Sequence, residues 1–442
     1  MKTKSRKLSA ENLESRICFS LVGFEPEPIA KGISREYGMN GYTLIIDGTT
    51  GADTVSVANK SSGLNVTRNG TTTFIANRSQ YKSISFSGGK GADKFTSSAS
   101  ISVYADGGEG ADTLVGGSGN DVLLGGSGAD TLRGNGGEDR LEGGTENDKL
   151  YGGSDNDRLY GGAGNDRLFG EGGADTLWGD AGNDGLVGGA GAADWLYGGT
   201  GNDRLLVNDG DKDTLYRRES GDALMTFENG KLSWSNSELE AADDAFLKLQ
   251  DRLNGKTTLL KDPVTGDLRF TNTNLPGNTS GRNTFTPAVH ESGSYWDWEK
   301  FNWVNWKVDR SAFRKIEIDD HSSNAGLMDT IIHEIGHNWD EQSEINLVTS
   351  KLKSWEKDFN AISKWSATKT STSPNASLDK DDSWFYAGTT KDFARAYGKN
   401  NRYDDISTIW EHYFNGNRNS SSNSTAVKNK IKALDSLFAA LD

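Results

Sequence analysis

The chain has 442 residues, and a protein of this length is expected to fold as two or three domains. Its net charge of −15 and its sequence pI of about 4.9 argue against a nucleic-acid partner. No apolar run reaches the roughly 18 residues that a transmembrane helix needs. A single cysteine, Cys18, excludes an intramolecular disulfide.

The first segment, residues 1–39, begins with a basic stretch and lacks the apolar core of a conventional signal peptide. Its run LSAENLESR, from Leu8 to Arg16, resembles a short LExR segment that precedes large surface or secreted proteins in some bacteria. That resemblance implies an export-related segment. The alternative is a disordered basic tail.

The second segment, residues 40–104, alternates apolar and polar residues in short runs, a pattern that predicts β-strands. It also contains GADTV at 51–55 and GGKGADKF at 88–95, which read as half-repeats of the pattern that follows. We therefore expect a β-rich solenoid cap here.

The third segment, residues 105–215, contains eleven consecutive nine-residue units between Gly107 and Leu206, one of them a residue longer. A typical unit reads GGSGNDVLL, and leucine always follows two residues after the conserved aspartate. That aspartate stands at the sixth place, or at the seventh in the longer unit: Asp112, Asp121, Asp130, Asp139, Asp148, Asp157, Asp166, Asp175, Asp184, Asp194 and Asp203. A strict period of this kind predicts a stack of identical turns.

The chemistry of the unit favours calcium. Glycine permits tight turns, and the aspartate supplies a hard anionic oxygen that turn carbonyls can complete into an all-oxygen shell for Ca²⁺. The two-residue period of a strand points each leucine inward, so that stacked coils would bury a leucine ladder. Residues 105–215 carry 22 acidic against 7 basic side chains, and carboxylates stacked this closely repel one another without cations.

The units resemble the RTX nonapeptide repeat GGxGxDxUx of secreted bacterial proteins, which implies a calcium-loaded parallel β-roll. We expect the segment to be largely unfolded without Ca²⁺ and ordered with it. A Gly/Asp-rich disordered linker is the alternative, but disorder does not require leucine in phase eleven times. Several departures from the pattern make their turns doubtful sites, among them Asn135 and Glu171 at the second place and Glu146 and Asp155 at the fourth.

A linker, residues 216–236, leads to the C-terminal domain, residues 237–442. Residues 237–254 predict an amphipathic helix that Gly255 ends, and Ile316–Ile318 reads as a strand. Residues 333–337 then read HEIGH on a segment with helical periodicity.

The HEIGH sequence predicts a zinc site. Four residues apart on a helix, His333 and His337 direct two imidazoles toward one point, which suits Zn²⁺. Glu334 can take the proton of a water molecule activated by the metal and later give it to the leaving amine. Two surface histidines on a structural helix are the alternative.

A third zinc ligand must come from elsewhere, because Asp340 and Ser343 replace the Gly and His of the extended metzincin motif. The pattern His-Glu-x-Gly-His-x-x-Asp resembles the lethal-factor-like branch of zincins, and residues 392–414 resemble its later motif. That resemblance implies Asp404 as the zinc ligand and Tyr397 as the donor that stabilises the oxyanion. Asp340 would orient a ligand histidine as a neighbouring carboxylate, or alternatively cap the end of the helix. Other acidic ligand candidates remain: Asp405, Glu411 and Glu356.

Taken together, the chain is expected to be multidomain, with a β-solenoid or parallel β-roll in its N-terminal half and an α+β zincin-like C-terminal domain. The function implied is a secreted, calcium-dependent zinc metallopeptidase that acts on protein or peptide substrates outside the cell or at the bacterial cell surface. A calcium-binding surface or adhesion protein with an inactive zincin-like domain is the alternative. A zincin that trims its own N-terminus is a third hypothesis.

Overall fold

The computed structural model describes residues 27–38, 40–208, 213–216, 221–228, 234–257, 260, 268–272, 281–286, 289–297, 302–310, 313–318, 365–366, 377–378, 385–386, 409, 413–414 and 425–441. Two compact units make up the chain, Met1–Thr176 and Leu177–Asp442. None of the helices in the described ranges has the length and apolarity needed to span a bilayer. Residues 1–26 lie outside these ranges, and the export-related role of the N-terminal segment stays a prediction.

Unit one consists almost entirely of strands. Their bounds are β1 Glu27–Ala30, β2 Ile33–Gly38, β3 Gly41–Asp47, β4 Thr54–Lys60, β5 Gly63–Arg68, β6 Thr71–Ala76, β7 Tyr81–Lys90, β8 Lys94–Ser97, β9 Ser102–Glu109, β10 Thr113–Val115, β11 Val122–Ser127, β12 Thr131–Gly136, β13 Arg140–Thr145, β14 Lys149–Ser154, β15 Arg158–Ala163 and β16 Arg167–Gly172. A single 3₁₀ turn, Arg78–Gln80, precedes β7.

Two sheets form unit one, and successive repeat strands alternate between them. One sheet runs in the order β1-β2-β3-β7-β9-β11-β13-β15, and the other in the order β6-β5-β4-β8-β10-β12-β14-β16. Pairing is antiparallel at the N-terminal end, among β1 to β3 and among β4 to β6. In the rest of unit one the strands pair in parallel, as β7 does with β9, β11 with β13 and β12 with β14, with partners about two repeats apart. The predicted β-solenoid in the N-terminal half is confirmed.

The core of unit one is the predicted leucine ladder. In one sheet Leu114 stands opposite Leu132, which stands opposite Leu150. In the other sheet Leu123 pairs with Leu141 in the same way. All of these side chains are fully buried. Burial of a leucine side chain contributes about 1.5–3 kcal/mol, so the repeated leucine is the main apolar contribution of each coil.

Unit two continues with further repeat strands and then changes character. Its elements are β17 Thr176–Ala181 (which starts at the last residue of unit one), β18 Gly185–Gly189, β19 Trp195–Thr200, β20 Arg204–Asn208, β21 Thr214–Tyr216, β22 Ala223–Glu228, α1 Asn236–Arg252, β23 Leu268–Asn272, β24 Gly281–Thr286, β25 Val289–Asp297, β26 Asn302–Arg310, β27 Phe313–Ile318, β28 Trp365–Ser366, β29 Ser377–Leu378, β30 Phe385–Tyr386 and α2 Thr425–Leu441.

One sheet of unit two extends beyond the repeats, in the order β18-β20-β22-β23-β27-β24. The β20–β22, β22–β23 and β23–β27 pairings are parallel, and the β24–β27 pairing is antiparallel. The strand predicted at Ile316–Ile318 is confirmed as the end of β27. The segment 216–236, predicted as a linker, contains β22, which pairs with the last repeat strand β20.

Helix α1 confirms the helix predicted at 237–254 and lies against β18 and β20. A capping box opens it, in which Ser235 and Glu238 exchange side-chain and backbone hydrogen bonds. Arg204 of β20 forms a buried ion pair with Asp243 of α1, with 2.9 Å between Nε and Oδ1. An aromatic cluster of Phe227 and Phe270 with side chains around α1 completes this core.

Helix α2 is linked to the end of α1 through polar side chains. The guanidinium of Arg252 lies 3.2 Å from Asp435 Oδ1, and the hydroxyl of Tyr413 donates to the same oxygen at 2.8 Å. Burial raises the pKa of Tyr413, and the hydrogen bond to Asp435 raises it further. The hydroxyl therefore stays protonated and can act as a donor at neutral pH. The α+β zincin-like fold of residues 237–442 stays a prediction.

Candidate calcium sites

The repeat aspartates are buried and form two rows. In each row the Oδ1 atom of one aspartate accepts the backbone N–H of the aspartate one coil earlier. Within unit one, row one connects Asp53, Asp93, Asp112, Asp130, Asp148 and Asp166, with N–O distances of 2.6–2.8 Å. Row two connects Asp121, Asp139, Asp157 and Asp175, with distances of 2.7–2.8 Å.

Unit two shows the same bond. The N–H groups of Asp184 and Asp203 donate to the Oδ1 atoms of Asp203 and Asp222, and Asp194 N–H donates to Asp213. All eleven aspartates predicted from the repeats are buried, at 2% exposure or less. Each carboxylate of these rows therefore holds two coils together through one of its oxygens.

Four of the aspartates joined in this way were not among the predicted calcium residues: Asp53, Asp93, Asp213 and Asp222. A signal for them was present in the sequence. Each is followed two residues later by an apolar residue: Val55, Phe95, Leu215 and Leu224. The aspartate and the apolar residue two positions after it thus extend over more turns of the solenoid than the full glycine pattern does, because these two side chains form the interior of the coil.

The second carboxylate oxygen, Oδ2, is buried without any hydrogen-bond partner at six aspartates of unit one: Asp93, Asp112, Asp130, Asp139, Asp148 and Asp157. Burying a carboxylate oxygen without a partner is costly, because the charge loses its hydration and gains nothing in return. A row of such atoms within one fold requires a cation or a proton to offset the charge. These oxygens are the strongest structural indication of a metal site.

At all six of these aspartates, the glycine five residues earlier lies directly against the Oδ2 atom. A Cβ atom built on Gly107 would lie 2.3 Å from Asp112 Oδ2 and 2.8 Å from the carbonyl oxygen of Gly125. At Gly134 the corresponding distances are 2.1 Å to Asp139 Oδ2 and 2.6 Å to a carbonyl oxygen. No residue with a side chain fits there. The glycine thus leaves a carboxylate oxygen and a backbone carbonyl facing the same small space, and both are ligands that Ca²⁺ prefers.

Three of the turns that the sequence made doubtful keep the same arrangement. Asn135 at the second place, and Glu146 and Asp155 at the fourth, have φ of 77°, 73° and 74° where other units have glycine. A left-handed backbone costs a residue with a side chain about 1–2 kcal/mol. The Oδ2 atoms of the aspartates in these three turns, at positions 139, 148 and 157, are still without a partner.

The electrostatics of the rows match this geometry. Burial, assisted by the charge of neighbouring carboxylates, raises the pKa of Asp139, Asp148 and Asp157 to about 8 against the lowering effect of their backbone hydrogen bonds. The pKa of Asp130 is raised to about 7 for the same reasons. In the absence of a cation, these carboxylates therefore retain protons near neutral pH.

Asp53, at the N-terminal end of row one, has a different environment. Its Oδ2 accepts the N–H of Thr49 at 2.5 Å, its Oδ1 accepts the Asn69 amide at 2.6 Å, and the Arg68 guanidinium lies 3.6 Å away. Burial raises the pKa of Asp53, but the hydrogen bonds from Asn69 and Thr49 and the charge of Arg68 bring it below its ordinary value. Protein groups therefore neutralise this carboxylate.

The predicted zinc site lies outside the described residues. This applies to His333, Glu334, His337, Asp340, Tyr397 and Asp404, and to the other ligand candidates Asp405, Glu411 and Glu356. Within the ranges that the structure describes, no three His, Cys, Asp or Glu side chains form a metal-binding group. The zinc ligands and the catalytic roles therefore stay predictions.

Comparison with known proteins agrees with the geometry of the rows. Four segments match the family model of the RTX calcium-binding nonapeptide repeat: residues 106–141, 133–168, 160–192 and 189–211. No curated protein and no solved structure matches the chain. Residues 106–211 therefore consist of RTX calcium-binding nonapeptide repeats, and calcium binding is a function of this chain.

Proposed function

We propose that the chain is a secreted, calcium-dependent zinc metallopeptidase, in which calcium orders the β-roll and zinc serves the C-terminal domain. The proposal has two parts that rest on different observations. The calcium part rests on buried carboxylate oxygens. The peptidase part rests on the HEIGH sequence at 333–337.

The observation that carries the calcium part is the set of Oδ2 atoms without partners, each beside a glycine and a backbone carbonyl. In unit one these atoms repeat along both rows, so calcium would bind along the rows, with Asp112, Asp130, Asp139, Asp148 and Asp157 as side-chain ligands. The predicted ligands Asp166 and Asp175 of unit one, and Asp184, Asp194 and Asp203 of unit two, would act in the same way. Secretion is in keeping with this, because RTX repeats are typical of secreted bacterial proteins.

The peptidase part is supported by the spacing of chemically suited residues. His333 and His337 would bind zinc together with Asp404, and Asp340 would orient one of the histidines. Zinc, when bound, supplies a Lewis acid. Glu334 would act as the general base toward the attacking water and as the acid toward the leaving amine, while the Tyr397 hydroxyl would stabilise the oxyanion.

The peptidase test compares casein hydrolysis by the calcium-refolded wild type with that of Glu334→Gln. We expect the variant to lose activity by at least about 100-fold, because general acid–base catalysis contributes about 10²–10⁴-fold. Glu341→Gln is the matched control, since it removes a carboxylate seven positions further along, and it should retain activity. Equal activity of wild type and Glu334→Gln would refute the peptidase part.

Zinc content, measured on the same preparations, separates the peptidase from the alternative function. Glu334→Gln should keep its zinc, whereas His333→Ala should lose it. A wild-type protein that binds zinc but cleaves nothing would favour the surface or adhesion protein with an inactive domain. Mass spectrometry of the secreted chain tests whether the domain trims its own N-terminus.

A further inference from the structure

A repeat turn is called open here when the Oδ2 atom of its aspartate has no hydrogen-bond partner, and closed when a backbone N–H of the same turn donates to that atom. One turn that fits the repeat in sequence is closed in the structure. Residues 116–121 read GGSGND, with glycine at all three expected places and Asp121 at the sixth. Yet Asp121 Oδ2 accepts the backbone N–H of Gly117 at 2.7 Å. The same contact occurs at the start of row one, where Thr49 N–H donates to Asp53 Oδ2. Both aspartates stand four residues after the donor, and each begins its row.

The backbone at the second place distinguishes the closed turns from the open ones. Gly89, Gly108 and Gly126 have φ of +101°, +105° and +111°, and none of their N–H groups donates to the aspartate four residues later. Gly117 and Thr49 are not in this left-handed region. A peptide in the ordinary conformation turns its N–H toward the carboxylate, and a left-handed one turns it away.

The carboxylate itself occupies the same position in both kinds of turn. A Cβ atom built on Gly116 would lie 2.2 Å from Asp121 Oδ2 and 2.8 Å from a carbonyl oxygen one coil on. The corresponding distances at Gly107, in an open turn, are 2.3 Å and 2.8 Å. The closed turn therefore differs only in the group that Oδ2 faces. A backbone N–H of the same turn donates a hydrogen bond to this oxygen, and that bond takes the place that a cation would have in an open turn.

Asp93 shows the opposite combination. It lies outside residues 106–211, which match the calcium-binding repeat. Its side chain is buried, at 2% exposure, and its Oδ2 has no hydrogen-bond partner. A Cβ atom on Gly88 would lie 2.3 Å from this oxygen and 2.6 Å from the carbonyl oxygen of Gly107. Glycines 89 and 91 both have the positive φ of the open turns.

We propose that Asp53 and Asp121 are calcium-free ends of the two rows, and that calcium binding begins at Asp93 in row one and at Asp139 in row two. This inference rests on the proposed calcium binding of the rows. It assigns a site to a turn that lies outside the matched repeats, and it removes one from a turn whose sequence fits the repeat at every defining place.

The test is the number of calcium ions bound per full-length chain, measured by equilibrium dialysis with ⁴⁵Ca. Asp93→Asn should bind one ion fewer than the wild type, as should the positive control Asp112→Asn. Asp121→Asn should bind as many ions as the wild type. A loss in Asp121→Asn, or an unchanged count in Asp93→Asn, would overturn the inference while leaving the proposed function in place. A wild type that binds no calcium would overturn both.

A second measurement needs no variant and therefore no assumption that Asp121→Asn folds. Crystals of the wild-type protein grown with calcium should show an ion beside Oδ2 of Asp93 and of Asp112. In the turn 116–121, the Gly117 N–H should still donate to Asp121, with no ion between them. An ion bound to Asp121 Oδ2, or none at Asp93 when Asp112 has one, would contradict the assignment.

Discussion

Two parts of unit one place aspartate at the same point of the coil and neutralise it in different ways: the strands β1 to β6 (residues 27–76), called the cap from here on in place of the wider predicted segment, and the repeat coils (residues 107–176). Asp53 belongs to the cap and Asp139 to the coils. The pKa of Asp53 is lowered by protein donors and by Arg68, and the pKa of Asp139 is raised to about 8 by burial. The place of an aspartate within the coil therefore does not determine whether its carboxylate needs a cation. The groups that face its second oxygen, Oδ2, determine it.

Two of the groups that neutralise Asp53, Arg68 and Asn69, come from an insertion. Asp53 and Asp93 are neighbours in row one although 40 residues separate them, whereas later neighbours are 18 or 19 residues apart. The extra residues include β5 and β6, and Arg68 and Asn69 stand at the turn that joins these strands. The inserted residues of the cap thus supply the positive charge that offsets Asp53. The units of the coils are too short to contain such an insertion.

Calcium removal should separate the two regions most strongly. Each occupied site stabilises the fold by about 2.7 kcal/mol when free calcium is 100-fold above Kd, so removal from several sites exceeds the stability of a typical domain. We expect EGTA to abolish most β-sheet circular dichroism and to release amide protection in the repeat coils. Hydrogen exchange should be slower in the cap than in the coils. A circular dichroism signal that does not change with calcium would contradict the expectation.

The second-largest effect should be the dependence of the stability of the calcium-free fold on pH. An unfolded aspartate has a pKa near 3.9, whereas the pKa of Asp139, Asp148 and Asp157 in the fold is about 8. Between these values the folded chain binds more protons than the unfolded one, so stability is highest near the lower value and is lost as pH rises through about 8.

The measurement is the β-sheet circular dichroism in EGTA, followed with temperature at about pH 5.5 and about pH 8.5, values that lie on either side of most of this titration. The β-sheet signal that remains without calcium, and its melting temperature, should be higher at the acidic pH. In excess calcium the trend should reverse, because protons then compete with the cation for the same oxygens. The contribution of Asp53 has the opposite sign, since its pKa is lowered and its stabilisation is lost only on acidification. A calcium-free melting temperature that rises with pH would refute this account of the coils.

Substitution of one glycine in each region compares them sterically, at the first place of a unit in the coils and at the fourth place in the cap. In Gly107→Ala the new methyl group would lie 2.3 Å from Asp112 Oδ2 and 2.8 Å from a backbone oxygen, so we expect a loss on the order of 3 kcal/mol and of one calcium site. Gly51→Ala in the cap meets nothing within 4 Å and should change stability by less than about 0.5 kcal/mol. Chemical denaturation with calcium present gives both values, and similar values for the two would show that the first glycine is not held by packing.

The sequence predicts the coils better than it predicts their ends. The nine-residue period was enough to place the leucine ladder and the eleven aspartates, because each unit is in contact mainly with copies of itself. It did not reveal that Asp121 is closed, since the unit GGSGND fits the repeat and the difference lies in the φ angles of Gly117 and Gly119. Nor did it reveal the ion pair between Arg204 and Asp243, which depends on how α1 meets the sheet. Contacts between unlike elements carry no period from which they could be predicted.

The smallest expected effect belongs to the ion pair of the cap. Arg68 and Asp53 are 12% and 0% exposed, so Arg68→Gln would leave a buried carboxylate without its countercharge and should lower stability by about 1–3 kcal/mol. Arg35→Gln is the control. It removes the exposed pair with Glu27, which is worth about 0–1 kcal/mol.

The decisive comparison is between calcium-loaded protein and protein in EGTA. If protein groups replace calcium in the cap, added calcium should not rescue Arg68→Gln, because the Thr49 N–H still occupies Asp53 Oδ2. The deficit relative to wild type should then be equal in both conditions. If calcium restored the variant to wild-type stability, the turn at Asp53 would be able to open. In that case the backbones of cap and coils would be equally able to bind calcium. The two regions would differ only in whether a protein donor or an ion occupies the space beside the aspartate Oδ2.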